Sequence, residues 1–185
     1  GSFFLTGNFL RNRDHKKIIK KMIKEGHYVG AHSDKHLLYC DWTNRDSTLV
    51  SFEQFRKDVE NNFAELKKFG ITKEDASIFL PAYEWYNHEI VQWSSELGLE
   101  LINFTPGTGT NADYTTPKMK DYKTSAEIWR KLKIFEEYDS KHLNGAILLI
   151  HPGTEPARKD KFYNLLDVII EYLYSNGYRF LSLKD

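Results

Sequence analysis

The sequence has little cysteine, no excess of charge of either sign and no long apolar run. Cys40 is the single cysteine among 185 residues, which excludes an intramolecular disulfide framework and a cysteine-rich zinc site. Lys plus Arg number 26 and Asp plus Glu number 26, so the chain lacks the basic character typical of nucleic-acid binders. No apolar stretch approaches the roughly 20 residues of a membrane span. A glycine-rich phosphate loop and a G-x-S-x-G serine motif are also missing.

The residues that are present predict one α/β domain over 1–185. Apolar residues make up 41% of the chain, enough for a sizeable core. The pattern predicts strands at 3–6, 28–33, 77–81, 99–105, 145–150 and 178–183, and helices at 15–25, 51–69, 87–97, 125–138 and 160–175. This alternation is typical of parallel βαβ units, in a (β/α) barrel or a doubly wound sheet. We expect the uninterrupted apolar run 145–150 to be a strand buried on both faces.

Two histidines follow the second predicted strand. His32 and His36 lie four residues apart, directly after residues 28–31. In parallel α/β folds functional side chains gather at the carboxyl ends of strands. Neutral imidazole is a common ligand of divalent metals, and an open position on such a metal lowers the pKa of bound water. We therefore favour a metal site over a solvated H-x-x-x-H loop.

A carboxylate and three aromatic residues follow the third predicted strand. Pro81 cannot donate to a sheet, so we expect the strand to end there. Glu84 is a candidate acid, base or metal ligand, and Tyr83, Trp85 and Tyr86 surround it in sequence. These aromatic residues are consistent with a sugar-stacking surface or with ordinary packing at the end of the sheet.

A third histidine, His151, follows the apolar run 145–150. At a strand end it would face the same edge of the sheet as His32 and His36, where it could act as a general acid. The alternative is a structural histidine at the rim. Asp113, in the loop 105–117, is a weaker candidate for ligand contact.

Four segments resemble motifs of one family, the polysaccharide deacetylases of carbohydrate esterase family 4. Residues 3–7 (FFLTG) resemble its TFFLTG segment, and residues 26–36 (GHYVGAHSDKH) resemble GHEIGNHSxxH. Residues 79–87 (FLPAYEWYN) are similar to FRPPYGxxN, and residues 148–151 (LLIH) resemble LxLH. Their order and spacing match those of the family over essentially the whole chain.

The resemblance implies a distorted (β/α)7-type barrel that removes N- or O-linked acetyl groups from a polysaccharide with a divalent metal. Zinc is the expected metal, with cobalt or nickel as alternatives. By the same resemblance, His32 and His36 are metal ligands and His151 is the acid that protonates the leaving group. Tyr83 would offer its backbone N–H to the oxyanion, and we place Pro81, Glu84 and Trp85 in the same substrate region.

The chain also departs from the family pattern. The TFDDG motif, which carries the family's base and third metal ligand, would precede residue 3, so we expect the barrel to lack its first strand and helix. Leu80 stands where the family has arginine, and Glu84 where it has glycine. Asp34 and Asp41 are candidate substitute carboxylates, although Asp34 would point away if the two histidines share a face.

Three alternatives stay open at this point. The chain could be a non-catalytic carbohydrate-binding relative that keeps an aromatic surface (Tyr39, Trp42, Tyr83, Trp85, Tyr86). It could be another metal hydrolase on a (β/α) barrel, or an interaction domain. An acetylated polysaccharide is the expected partner, which points to the cell envelope or a secreted protein. An exposed sheet edge would also favour a homodimer.

Overall fold

The computed structural model describes residues 1–183, which form two compact units. The first comprises Gly1–Asn103 together with the described residues from Phe180 on, and the second comprises Phe104–Arg179. Each unit has its own core of buried apolar side chains. No helix in the described part of the chain is long and apolar enough to cross a membrane.

A four-stranded parallel sheet forms the first unit. Its strands are β1 (Ser2–Leu5), β2 (Tyr28–Ala31), β3 (Ile78–Phe79) and β4 (Glu100–Leu101), and they pair in the order β1-β2-β3-β4. Each strand is added beside the one before it, without the reversal of order that defines a doubly wound sheet. Of the two predicted architectures, this sequential order is the one found in a (β/α) barrel.

The helices of the first unit are α1 (Gly7–Arg11), α2 (Lys16–Lys24), α3 (Phe52–Lys67) and α4 (His88–Glu96). Helix α3 begins with a capping box, because Ser51 accepts from the Gln54 backbone N–H while the Gln54 side chain accepts from the Ser51 N–H. Its apolar face places Phe55 and Leu66 in the core, fully buried. The same packing places Asn62 of α3 beside β1, where it donates to the Leu5 carbonyl. It also places Asp58 beside Ser33, in the loop that follows β2.

The second unit contains α5 (Ser125–Tyr138), α6 (Leu166–Ser175) and two short 3-10 helices, Thr110–Tyr114 and Phe162–Leu165. Its core consists of residues from these helices and one neighbouring segment, namely Ile128, Leu132, Leu143, Phe162, Ile169 and Leu173. The fully buried Arg158 donates to the backbone carbonyls of Thr115 and Lys123 at 2.8 and 2.9 Å. These bonds fasten the segment that precedes α5.

The later predicted strands are wrong. Residues 145–150 and 178–183 form no strand, and residues 146–150 are only half-buried rather than enclosed on both faces. Ile147 exchanges two hydrogen bonds with Thr105, both at 2.9 Å, but a single residue pair is not a ladder. Of the predicted strand 99–105, Glu100–Leu101 forms β4, which pairs with β3. Apolar runs predict burial without determining the backbone pairing.

Candidate functional site

The two histidines after β2 bring their Nε2 atoms together, 3.2 Å apart. His32 Nδ1 lies 2.8 Å from the carbonyl oxygen of Leu80. A carbonyl only accepts, so Nδ1 carries the proton and Nε2 presents its lone pair toward His36. The His32 backbone N–H donates to Asn62 Oδ1 at 2.8 Å, which fixes the start of the loop.

This separation fits two ligands of one divalent metal. With metal–nitrogen bonds of ~2.0–2.1 Å and a tetrahedral angle, two ligand nitrogens lie roughly 3.3 Å apart. The hydrogen bond from His32 Nδ1 to a carbonyl is the orientation that metal-binding histidines use. Across residues 1–183, however, no group of three or more His, Cys, Asp or Glu has the arrangement of a metal site. Among residues 1–183 there are thus two imidazole nitrogens at a spacing that a metal ion could bridge, without a third group placed to complete the site.

Backbone strain concentrates in the two loops beside these histidines. Ser33, His36, Tyr83 and Glu84 have φ between 52° and 70°, and they are four of the five non-glycine residues with positive φ in the described chain. This conformation costs roughly 1–2 kcal/mol per residue for L-amino acids. Strain of this kind persists where surrounding contacts impose it, and it clusters at functional sites.

A buried carboxylate on α3 imposes the shape of the first loop. Asp58 accepts hydrogen bonds from the Ser33 and Tyr39 hydroxyls at 2.6 and 2.7 Å. It also accepts from the backbone N–H groups of Asp34 and Lys35 at 3.2 and 3.1 Å. Burial, and then the Asp58 charge, raise the pKa of Tyr39 well above its ordinary value. The neutral phenol therefore remains a donor to this carboxylate.

The two candidate substitute carboxylates have other partners. Asp34 is buried and forms an ion pair with Arg11 at 2.5 Å. A Cβ at Gly7 would overlap this carboxylate, so a larger residue there would displace the Asp34 side chain. Asp41 accepts from the backbone N–H of Asn44 and from both donors of Thr43, and these bonds lower its pKa. Both carboxylates stabilise the loop through these contacts.

Glu84 lies beside His32 of the histidine pair. Its Oε1 is 3.8 Å from His32 Nε2, and its side chain is 12% exposed. It belongs to a short 3-10 helix, Ala82–Glu84, for which Pro81 is the N-terminal flanking residue. The structure thus brings three of the predicted residues, His32, His36 and Glu84, to one place.

Leu80 has a role that does not depend on its side chain. Its carbonyl accepts from His32 Nδ1, and its N–H donates to the Ala31 carbonyl at 3.3 Å. Its aliphatic side chain is buried. The Leu80 carbonyl therefore orients His32 even though the family motif has arginine at position 80.

Aromatic rings extend from the histidine pair. The ring of Tyr83 lies 4.2 Å from that of His36, and the ring of Trp42 lies 5.5 Å from those of both Tyr83 and Trp85. Trp85 donates its indole N–H to the Asp41 carbonyl at 3.1 Å. These contacts join residues from two loops into one aromatic surface.

In the second unit, His151 forms a pair with Asp113. Its Nδ1 lies 2.6 Å from Asp113 Oδ1, and its backbone N–H donates to Asp113 Oδ2 at 2.7 Å. Asp113, the weaker candidate for ligand contact, is 1% exposed and has His151 as its partner. The carboxylate fixes the proton on Nδ1 and stabilises an imidazolium, as in acid–base dyads.

The sequence does not predict that Asp58 and Asn62 bind the histidine loop, or that Asp113 pairs with His151. Asp58 and Asn62 belong to the helical pattern of α3, where their spacing does not distinguish them from solvated residues. Their function depends on loops about 20 to 30 positions earlier in the chain. A buried position for a charged residue in the helix pattern is the one signal that could have identified Asp58.

Comparison with known proteins agrees with this geometry. Residues 1–102 match the polysaccharide deacetylase family, and the chain belongs to that family. It is 25% identical over 186 residues to the peptidoglycan-N-acetylmuramic acid deacetylase PdaA of Bacillus subtilis, covering all of this chain and 60% of PdaA. The chain spans about 60% of the length of the curated relatives it matches.

Solved structures show the same fold. A family 4 acetyl xylan esterase from Clostridium thermocellum, in complex with a cobalt ion, superposes with a TM-score of 0.69 at 22% identity, covering 100% of this chain and 75% of that one. BA3943, a CE4 family pseudoenzyme from Bacillus anthracis, gives 0.64 at 16% identity, with 100% and 54% covered. The predicted fold class, α/β with parallel strands of the CE4 barrel type, is confirmed.

Proposed function

We propose that this protein hydrolyses acetyl groups, N- or O-linked, from a polysaccharide in a metal-dependent reaction. The observation that carries the proposal is the 3.2 Å separation of the Nε2 atoms of His32 and His36. The Nδ1 of His32 donates its proton to the Leu80 carbonyl, which orients Nε2 toward His36. Membership of the polysaccharide deacetylase family supports the reaction class.

His32 and His36 would hold the divalent metal, with zinc as the first choice and cobalt or nickel as alternatives. When bound, such a metal supplies Lewis-acid polarisation of an acyl carbonyl. Asp58 and Asn62 keep the loop in the strained shape that makes the two nitrogens converge. We assign Tyr83, through its backbone N–H, to the developing oxyanion, and Pro81 and Trp85 to the walls of the same region.

Glu84 is the proposed general base. Its carboxylate is largely buried beside His32 and would accept a proton from an attacking water. His151 is the proposed general acid, which delivers its imidazolium proton to the departing amine or alcohol. Asp113 stabilises that imidazolium through the 2.6 Å contact with Nδ1.

The test is acetate release by the zinc-loaded chain from three substrates: peptidoglycan, the N-acetylglucosamine hexamer and acetylated xylan. We expect release on at least one of them, and a fall of about 100-fold or more in His151→Asn. His142→Asn is the matched control, because His142 is an exposed histidine of the same unit, and it should retain full activity. Equal activity of both variants, or no release by the unmodified chain, would overturn the proposal.

A non-catalytic carbohydrate-binding role is the second candidate. It is favoured by one observation, the buried aliphatic side chain of Leu80 where the family motif has arginine. Saturable binding of an oligosaccharide without acetate release would support it. In either case the partner is an acetylated glycan, and we place the protein at the cell envelope or outside the cell; a homodimer is also proposed.

A further inference from the structure

A half-buried asparagine beyond β4 binds the turn that carries Glu84. The Ile102 N–H donates to the Phe79 carbonyl at 3.0 Å, which continues the pairing of β4 with β3. This bond brings the next residue, Asn103, to the carboxyl edge of the sheet, beside the turn that follows β3. There the side-chain amide of Asn103 donates to the backbone carbonyl of Glu84 at 2.9 Å.

The turn that Asn103 binds is strained at two successive residues. Tyr83 has φ 60° and ψ 8°, and Glu84 has φ 52°. Glycine adopts such angles at no steric cost, whereas residues with a Cβ are destabilised by them. A strained backbone persists where the surrounding contacts over-determine it. The bond from Asn103 acts directly on the second strained residue, so it opposes relaxation of the turn.

Fixing the carbonyl of Glu84 also fixes the direction of its side chain. Rotation about the N–Cα bond moves the carbonyl carbon and the Cβ together, so a bond that holds one holds the other. The carboxylate whose Oε1 lies 3.8 Å from His32 Nε2 therefore depends on the backbone conformation of Glu84. Relaxation of the turn to negative φ would reorient this carboxylate, and with it the neighbouring Tyr83 N–H.

We propose that Asn103 is a positioning residue for the deacetylation reaction. Its amide holds the turn 82–85 in the strained conformation that presents the Glu84 carboxylate and the Tyr83 N–H beside the histidine pair. The proposal rests on the function proposed above, in which Glu84 is the base and the Tyr83 N–H binds the oxyanion. Asn103 itself acts through the backbone of Glu84.

Amide hydrogen exchange tests the conformational part of the proposal without any substrate. Inside the turn the Glu84 N–H donates to the Pro81 carbonyl at 3.0 Å. This bond should open more often in Asn103→Ala, because the contact that opposes relaxation has been removed. We expect exchange in the peptide 81–87 to become about fivefold faster, the net effect of one neutral hydrogen bond. Mass spectrometry of the peptic fragments measures it.

Acetate release by the zinc-loaded chain tests the functional part. In Asn103→Ala we expect kcat to fall about fivefold or more at unchanged KM and unchanged zinc affinity, because the base and the oxyanion donor act in the transition state. Asn103→Asp has nearly the same shape but no donor when it is ionised, so it should lose at least as much. Asn103→Gln keeps the amide donor and should recover part of kcat.

Asn144→Ala is the matched control, because Asn144 is an exposed asparagine of the second unit whose amide also donates to a backbone carbonyl, that of Lys141 at 3.0 Å. It should change neither exchange in 81–87 nor kcat. Equal exchange in Asn103→Ala and Asn144→Ala would overturn the proposal, and so would full kcat in Asn103→Asp. Faster exchange in Asn103→Ala with no acetate release by the unmodified chain would overturn the deacetylase function and leave the hold of Asn103 on the turn established.

Discussion

The strongest stability prediction concerns Asp58, the buried carboxylate that shapes the histidine loop. In Asp58→Ala, four hydrogen bonds are lost, two from hydroxyls and two from backbone N–H groups. The Ser33 and Tyr39 side chains are fully buried, so their hydroxyls would be left without an acceptor. Each unsatisfied buried donor costs about 1–3 kcal/mol. Loop relaxation recovers part of this, and we expect unfolding to become easier by about 3–5 kcal/mol.

Asp58→Asn is the informative second variant. The amide keeps one acceptor oxygen and nearly the same volume, and the two hydroxyls can rotate to accept from its NH2 group. We therefore expect a loss of about 1–2 kcal/mol. The measurement is the free energy of unfolding from urea denaturation, since the slope should not change if the denatured state is unaltered.

Asn61→Ala is the matched control on the same helix, because Asn61 is exposed beside Asn62. Its effect should stay within about 0.5 kcal/mol. The reasoning is refuted if Asp58→Ala unfolds at the same urea concentration as Asn61→Ala. It is also refuted if Asp58→Ala is strongly destabilised while zinc affinity of the folded protein is unchanged, because the loop would then not depend on this carboxylate.

Three further predictions concern single residues. The pKa of Tyr39 is raised in the folded protein, so its neutral form contributes stability below pH 10, and this stability is lost as the pH rises toward the folded pKa. Absorbance at 295 nm should show that Tyr39 ionises together with the loss of structure. Titration of Tyr39 near pH 10 in the folded protein would contradict this prediction. Arg158→Lys removes the guanidinium Nη1 that donates to two backbone carbonyls and should lower the free energy of unfolding by about 2–3 kcal/mol, whereas an unchanged urea midpoint would count against that role. Glu84→Gln should reduce acetate release about 100-fold at unchanged zinc affinity, and a parallel loss of zinc would make Glu84 a ligand instead of the base.

Local signals determined α3, α4 and α5 well, whereas α1 was not predicted and the predicted helix 160–175 has its α-helical part at Leu166–Ser175. Helix α5 occupies Ser125–Tyr138, the range predicted, because Thr124 and Glu127 form a capping box and the apolar spacing is helical. Helices α3 and α4 likewise begin one residue after polar caps, Ser51 and Asn87. Caps and periodicity act within a few residues, so the sequence alone reveals them.

Strands and positioning residues were harder to predict because they depend on distant partners. The apolar run 145–150 was predicted to be an enclosed strand, and the structure leaves residues 146–150 half-buried without a ladder. The order and spacing of motifs led to the prediction of His32, His36 and His151 as site residues, whereas Asp58 and the Asp113–His151 contact emerged only from the three-dimensional structure. The positive φ of His36 likewise occurs in a loop that Asp58 of α3 binds through Ser33, Asp34 and Lys35.

Zinc titration by calorimetry tests the central claim most directly, with the unmodified chain, His32→Ala and His88→Ala. His88 is an exposed histidine at the start of α4 and serves as the matched control. The account predicts one zinc per chain for the unmodified protein and for His88→Ala, and affinity at least about tenfold lower for His32→Ala. Equal zinc binding by all three proteins, or none by the unmodified chain, would contradict the assignment of His32 and His36 as the metal-binding pair.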